Sequence, residues 1–310
     1  MTSPSSPDTS PRPTVVVTGA NGFVGARVCD ALVARGATVR AVVRRAGTAP
    51  SLPGVEEVVG QFTDPTFAAQ AVSGADAVVT TVHPMQSDRE AQQQIGVVGT
   101  GTIARAAADA DVSVLVHVST AAVYDRSPGV GDVSEGSALV GDGANDYSVT
   151  KRDTDAALAE VDGITRVLLR PPAILGVGES SVWNTLRPAG MRDDQEHRHA
   201  LADQSFAWVH VTDLAALAAD VAVGVVTPGD GASEGPVLGG CTPVNVAAGA
   251  VPMRDYVQVV ADAVDVAPVW DDGPAWTGRI VADRARAWGW SPRVTIDTAL
   301  DEVREGLTTA

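Results

Sequence analysis

Thr14-Val15-Val16-Val17-Thr18-Gly19-Ala20-Asn21-Gly22-Phe23-Val24-Gly25 decides the fold of this chain. The β-branched run Thr14 to Thr18 reads as a buried strand. Three glycines follow at a spacing of three, and then an amphipathic helix from about Phe23 to Arg35, stopped by Gly36. Gly19 permits a tight turn, Gly22 lets backbone approach a ligand, and Gly25 lets the helix lie close on the strand. A helix N-terminus behind such a turn offers unpaired N–H groups to phosphate. In this setting the stretch Gly19, Asn21, Gly22, Phe23, Val24 and Gly25 reads as a dinucleotide cradle.

Outward from that stretch, strands and helices alternate. Strands are expected at Thr38–Val43, Val55–Gly60, Asp76–Val82, Val112–Ser119 and Ile164–Arg170. Helices are expected from Asp64 or Pro65 to Val72, from Asp88 to Ala110 as one long element, and over 144–161. This rhythm predicts an α/β fold, a doubly wound parallel sheet of Rossmann type with right-handed crossovers. After Pro171-Pro172 the rhythm breaks. Trp208–Thr212 and the helical Asp213–Gly224 are expected to return to the main sheet. The predicted division is a lead at 1–13, a nucleotide-binding core at 14–175 joined by 207–225, and a smaller interleaved substrate lobe from 176–206 and 226–310.

The chain has 310 residues and a net charge of −16. Nucleic acid and anionic membranes need basic patches, so neither is an expected partner. The lead, rich in Ser, Thr and Pro, is expected to be disordered and lacks the apolar run of a secretory signal. Cys29 and Cys241 give no disulfide framework or metal spacing, which makes a cytoplasmic setting the default.

An anionic ligand must then be held by a few local arginines. Strand two ends in Val42-Val43-Arg44-Arg45, and no acid lies between Arg35 and Glu56. A carboxylate there would hold ribose hydroxyls, whereas arginine suits a 2′-phosphate. Arg44, assisted by Arg45 or Arg40, therefore points to NADP(H) over NAD(H).

Lys151 is the only lysine, and every other basic residue counted in the charge is arginine. It lies four residues after Tyr147, one helical turn away on the same face. An ammonium so placed lowers a phenol's pKa and makes it a proton donor. Ser119 and Thr120 end strand five, where sheets of this kind bind their ligands. Their plainer reading is a turn cap.

Glycine loop, strand-five hydroxyls and the Tyr147-x-x-x-Lys151 pair together resemble the extended short-chain dehydrogenase/reductase superfamily. Leu168-Leu-Arg170-Pro171-Pro172, Trp208-Val-His210-Val-Thr-Asp213 and Trp288-Gly-Trp290-Ser-Pro292 extend the resemblance over most of the chain. It implies Tyr147 as general acid, Thr120 with Ser119 as the catalytic hydroxyl, and Lys151 binding the nicotinamide ribose and tuning Tyr147. It further implies cofactor contacts from Gln61, Phe62, Thr81 and Pro171, and a homodimer. Departures narrow it. Gln61 stands for the family's frequent Asp, and Gly96 for an Asn on helix four. Ala121-Ala122 replaces the acidic pair of dehydratases, and Ala173 the Asn of nucleotide-sugar enzymes. Arg40-Ala-Val-Val-Arg44 is closer to dihydroflavonol-reductase-like members. The resemblance thus implies an NADPH-dependent reductase of a ketone or aldehyde on a small hydrophobic metabolite. An epimerase passing through a keto intermediate, and a non-catalytic NADP sensor, stand as alternatives.

His83, Met85, Tyr124, Trp183 and Trp208 are candidates to touch that substrate, each with a plain core or turn reading beside it. His210 and Asp213 read as strand-end and cap residues. The segment Asp193 to His199 is expected to be a solvated or lid segment rather than a metal site.

Overall fold

Val15 and Val17 face one side of the first strand and Val16 the other, and all three are fully buried. Successive strand residues alternate faces, so an unbroken apolar run means cover on both. The computed structural model describes residues 12–85 and 87–308, so most of the lead lies outside the described residues. The elements begin β1 (Thr14–Thr18), α1 (Phe23–Ala34), β2 (Thr38–Val43), β3 (Val55–Val59), α2 (Pro65–Val72) and β4 (Ala77–Thr80). They continue through α3 (Arg89–Gln92), α4 (Thr100–Asp109), β5 (Val114–Val118), α5 (Asp146–Ala159) and β6 (Thr165–Arg170). Five strands pair in parallel around β1 in the order β6-β5-β4-β1-β2-β3, as the alternation predicts. The order reverses between β1 and β4, which places the ligand crevice of such a sheet at their carboxyl ends.

The expected long helix is not a single α-helix. Gln93–Gly99, between α3 and α4, is wound in wider π-type turns. Two glycines in that segment admit close neighbours. A Cβ on Gly96 would lie 2.9 Å from His83 Nδ1, and one on Gly99 2.5 Å from Thr63 Cγ2. Wide turns of this kind are often found at functional sites.

The rest of the chain forms β7 (Ala173–Leu175), α6 (Arg187–Asp193), β8 (His199–Leu201), β9 (Ser205–His210) and α7 (Val211–Ala222). It continues with β10 (Cys241–Asn245), β11 (Gly249–Pro252), α8 (Met253–Ala263), β12 (Val269–Asp271), α9 (Asp283–Ala287) and α10 (Ile296–Thr308). Two assignments differ from the expectation. β9 does not rejoin the main sheet. It pairs with β7 and antiparallel with β11, and only its following helix, α7, returns, packing on α1. The seventh strand of the main sheet is instead β10, parallel to β6. The reason is burial. α7 presents Leu214, Leu217 and Val221 to the same core as Val28 and Leu32 of α1, whereas Phe206 and Trp208 of β9 belong to a separate apolar core. That core gathers Met253, Tyr256 and Val260 of α8 with Leu300 and Val303 of α10. Asp193–His199 is not free loop. It spans the end of α6, a tight 3-10 turn over Gln195–Arg198 and the start of β8, where His199 Nδ1 and Asp271 Oδ1 lie 2.8 Å apart. Among the described residues no group of His, Cys, Asp or Glu is arranged to hold a metal ion, and no helix is long and apolar enough to cross a membrane.

Candidate active site

Gly19 has φ +71°, and a Cβ there would lie 2.7 Å from both Thr81 Oγ1 and Val82 Cγ2. At Gly25 a Cβ would lie 2.1 Å from the Gly19 carbonyl oxygen. Both positions therefore demand glycine for different reasons, conformation at one and close approach at the other. Gly22 caps α1 with no side-chain bond, which leaves first-turn N–H groups for a ligand. The donor set, the missing side chains and the crevice position fit the pyrophosphate of a nicotinamide dinucleotide.

A cavity of about 780 Å³ runs from this loop toward the lobe. Asn21, Phe23, Val24, Arg44, Gln61, Phe62 and Thr81 line its cofactor end together with the three glycines. Ser119, Thr120, Tyr147 and Lys151 line it too, as do His83, Met85 and Trp183. Sequence positions from 19 to 183 are thus brought to one space.

Five residues expected at the site do not line this cavity. Arg45 is exposed and does not line the cavity; its carbonyl accepts the Thr48 hydroxyl at 2.7 Å in a surface turn. Arg40 is spent on the end of α2, where Nη1 donates to Ser73 O at 2.6 Å. The Pro171 carbonyl accepts Ala121 N–H at 2.8 Å, and the next residue, Pro172, lines the cavity in its place. Tyr124 is buried; its hydroxyl donates to Asn245 Oδ1 at 2.7 Å and accepts from Arg170 Nη1 at 2.9 Å. Trp208 lies in the lobe core, paired with Ala173 on one side and Gly249 on the other. In each case a partner the sequence could not name absorbs the side chain or backbone.

Thr120 caps the short turn at Ala121–Val123, its Oγ1 accepting from Ala122 N–H at 3.1 Å. The capping role and a place at the cavity coexist, because the hydroxyl proton has only a long contact, 3.5 Å to Pro171 O, to give up for a ligand. Ser119 Oγ is buried close to the Asp155 carboxyl, whose pKa it acts to lower against the effect of burial. On α5, capped by Asn145, the residues Tyr147, Lys151 and Asp155 recur every four positions and share one face. Lys151 is buried and its Nζ donates to Val118 O at 2.7 Å, at the carboxyl end of β5. Burial lowers its pKa to about 8, against the pull of Asp155. Burial raises the Tyr147 phenol, while the Thr120 hydroxyl and the Arg126 guanidinium act to lower it. The cation acting on the phenol is therefore Arg126, whereas the spacing pointed to Lys151, which is turned instead to the β5 carbonyl.

His83 packs edge-on against Tyr147, ring centroids 5.2 Å apart, with Nε2 3.1 Å from Gln92 Oε1. Its ring fills the space that the missing side chain of Gly96 leaves open. Burial and the Lys151 charge lower its pKa to about 3, so it is neutral at working pH. Two residues went unread in the sequence. His117, buried beneath the site, shares a 2.8 Å bond between Nδ1 and Thr80 Oγ1. Arg126 lines the cavity beside Tyr147. It follows Tyr124 by two residues in a segment whose composition said only loop.

The model of the NAD(P)H-binding family matches residues 19–223. Sterol demethylase protein B of Methylococcus capsulatus is 31% identical over 53% of this chain and 52% of its own length. A 4-hydroxy-2-methyl-3-oxo-4-farnesyl-3,4-dihydroquinoline-1-oxide ketoreductase of Stigmatella aurantiaca is 30% identical over 53% of this chain and 51% of its own. The chain thus spans about half the length of these curated relatives. In fold it is similar to a short-chain dehydrogenase/reductase superfamily protein from Agrobacterium tumefaciens solved with bound NAD, with a TM-score of 0.74 and 22% identity over 94% of this chain and 96% of that one. With glycine loop, strand-end hydroxyls and Tyr–Lys pair lining one cavity, the chain belongs to the NAD(P)H-binding family, within the extended short-chain dehydrogenase/reductase superfamily.

Proposed function

We propose that the protein is an NADPH-dependent reductase of a ketone or aldehyde carbonyl. The observation behind this reading is that Thr120, Tyr147 and Lys151 meet in the cavity that the glycine loop enters. When bound, the nicotinamide supplies a hydride to the carbonyl carbon. Tyr147 then delivers its phenolic proton to the oxygen that gains charge, and Thr120 Oγ1 donates a hydrogen bond to the same oxygen. Lys151 holds ribose hydroxyls of the cofactor, while Arg126 keeps positive charge near the phenol. Trp183, Phe206 and Met253 give the substrate end an apolar wall, which suits a hydrophobic substrate. The ketoreductase name of one relative points the same way.

Arg44 lines the cofactor end, and among the described residues no carboxylate does. We assign it to the 2′-phosphate of NADPH. Oxidation of NADPH across a panel of hydrophobic ketones and aldehydes tests the reading. Tyr147→Phe is expected to lower kcat at least a thousandfold, on the order of a lost general acid, while NADPH still binds. Wild-type turnover in that variant sinks the assignment, and tightly bound cofactor with no net oxidation marks an epimerase instead. For Arg44→Glu the expected result is loss of preference for NADPH over NADH; an unchanged ratio refutes the phosphate contact.

A further inference from the structure

The described residues lining the cavity include three cations, Arg44, Lys151 and Arg126, and no Asp or Glu, in a chain of net charge −16. The proposed function uses two of the three for the cofactor. Arg126, beside the Tyr147 phenol, is not needed for the cofactor. It is half-buried, and no hydrogen bond or ion pair to its guanidinium forms among the described residues. Its guanidinium lies over the face of Trp276, 5.6 Å from guanidinium carbon to ring centroid, with the Tyr147 phenol nearby.

That stacking is itself braced. Trp276 is buried, and its ring N–H donates to Gly131 O at 2.9 Å. Val133 N–H donates to Arg279 O at 2.9 Å, and Val281 N–H returns to Val133 O at 2.8 Å. The segment 126–133 is thus stapled to 276–281, and Arg126 is held in place before any ligand arrives. A guanidinium removed from water without an acceptor is costly to keep. Here no described residue accepts a hydrogen bond from it, and the stacking leaves the fork edge free.

We infer that the substrate is a carboxylate-bearing carbonyl compound, its anionic end bound by Arg126 and its apolar body lying against Trp183, Phe206 and Met253. The carbonyl part rests on the reductase reading; the anion part rests on the cavity alone. Carboxylate is chosen over phosphate because one planar fork pairs both oxygens of a carboxylate, while a phosphate would leave further oxygens unpaired on an apolar wall.

The test is calorimetric titration of decanoate, decanamide and decyl phosphate into the protein saturated with whichever nicotinamide dinucleotide it binds. That saturation fills the Arg44 and Lys151 sites. Decanoate is expected to bind about tenfold or more tightly than decanamide, the usual gain of a charge-assisted pair. Arg126→Met should erase the difference, and Arg126→Lys should restore part of it. Equal binding of acid and amide to the wild type overturns the inference, as does binding of neither. So does an acid preference that survives Arg126→Met, and tighter binding of decyl phosphate than of decanoate. The wild-type comparison decides even if a variant fails to fold. Failure of the reductase reading would look different: decanoate would prefer Arg126 as stated, yet no carbonyl compound would oxidise NADPH.

Discussion

At the scale of single residues, Lys151 is held on several counts. It is buried, bonded to Val118 O and depressed to a pKa of about 8 by that burial. Its charged form is the useful one, so function is present below this value and is lost as pH rises through it. We predict a pH–rate profile that falls above about 8. No limb near the ordinary histidine value should appear, because His83 titrates at about 3. A profile flat to pH 10 would remove Lys151 from the reaction. Lys151→Arg keeps the charge but replaces a compact ammonium by a planar fork in a space closed around it. Activity should drop at least tenfold, and kinetics of that variant at pH 7 check it. Tyr147 and Lys151 were legible in the sequence because their relation is local, one turn of one helix. Arg126 was not, because its place depends on Trp276, a residue far along the chain that is tied to nearby Gly131.

At the scale of elements, the turn between β1 and α1 was readable almost atom by atom. Its glycine requirement is steric, and sterics are local. Gly25→Ala would put a methyl 2.1 Å from the Gly19 carbonyl oxygen. We predict that this variant loses nicotinamide dinucleotide binding by about tenfold or more, read by fluorescence titration, with thermal stability also reduced. Unchanged affinity would mean the loop does not cradle the cofactor. The segment at Gln93–Gly99 was less legible. Its composition says helix, but the π-type turns arise where His83 and Thr63 press against Gly96 and Gly99. Gly96→Asn gives a test of that packing. It should displace His83 and lower activity rather than improve it, and an unimpaired variant would show that the imidazole has room to spare.

At the scale of the whole molecule, a buried polar chain ties core to lobe. Asp155 Oδ2 accepts from Arg170 Nε at 2.9 Å, Arg170 donates to Tyr124, Tyr124 donates to Asn245, and Asn245 Nδ2 donates to Val281 O at 3.0 Å. Its members come from α5, β6, β10 and the segment after β5. Breaking one partner of a buried pair strands the other charge. Arg170→Met should therefore destabilise the fold by roughly 3–5 kcal/mol, measured by urea unfolding. A loss under about 1 kcal/mol would show that water reaches the pair and that the chain is not a structural tie.

The sequence by itself determined the alternation of strands and helices, the glycine turn, and the helix face shared by Tyr147 and Lys151. Each follows from periodicity or from contacts within a few residues. The tertiary structure alone decided that β10 rather than β9 completes the main sheet, that Tyr124 and Trp208 are buried away from the cavity, and that Arg126 faces Tyr147. Those outcomes turn on which apolar faces cover one another and which buried polar groups find partners far along the chain, and neither is written in any local stretch of residues.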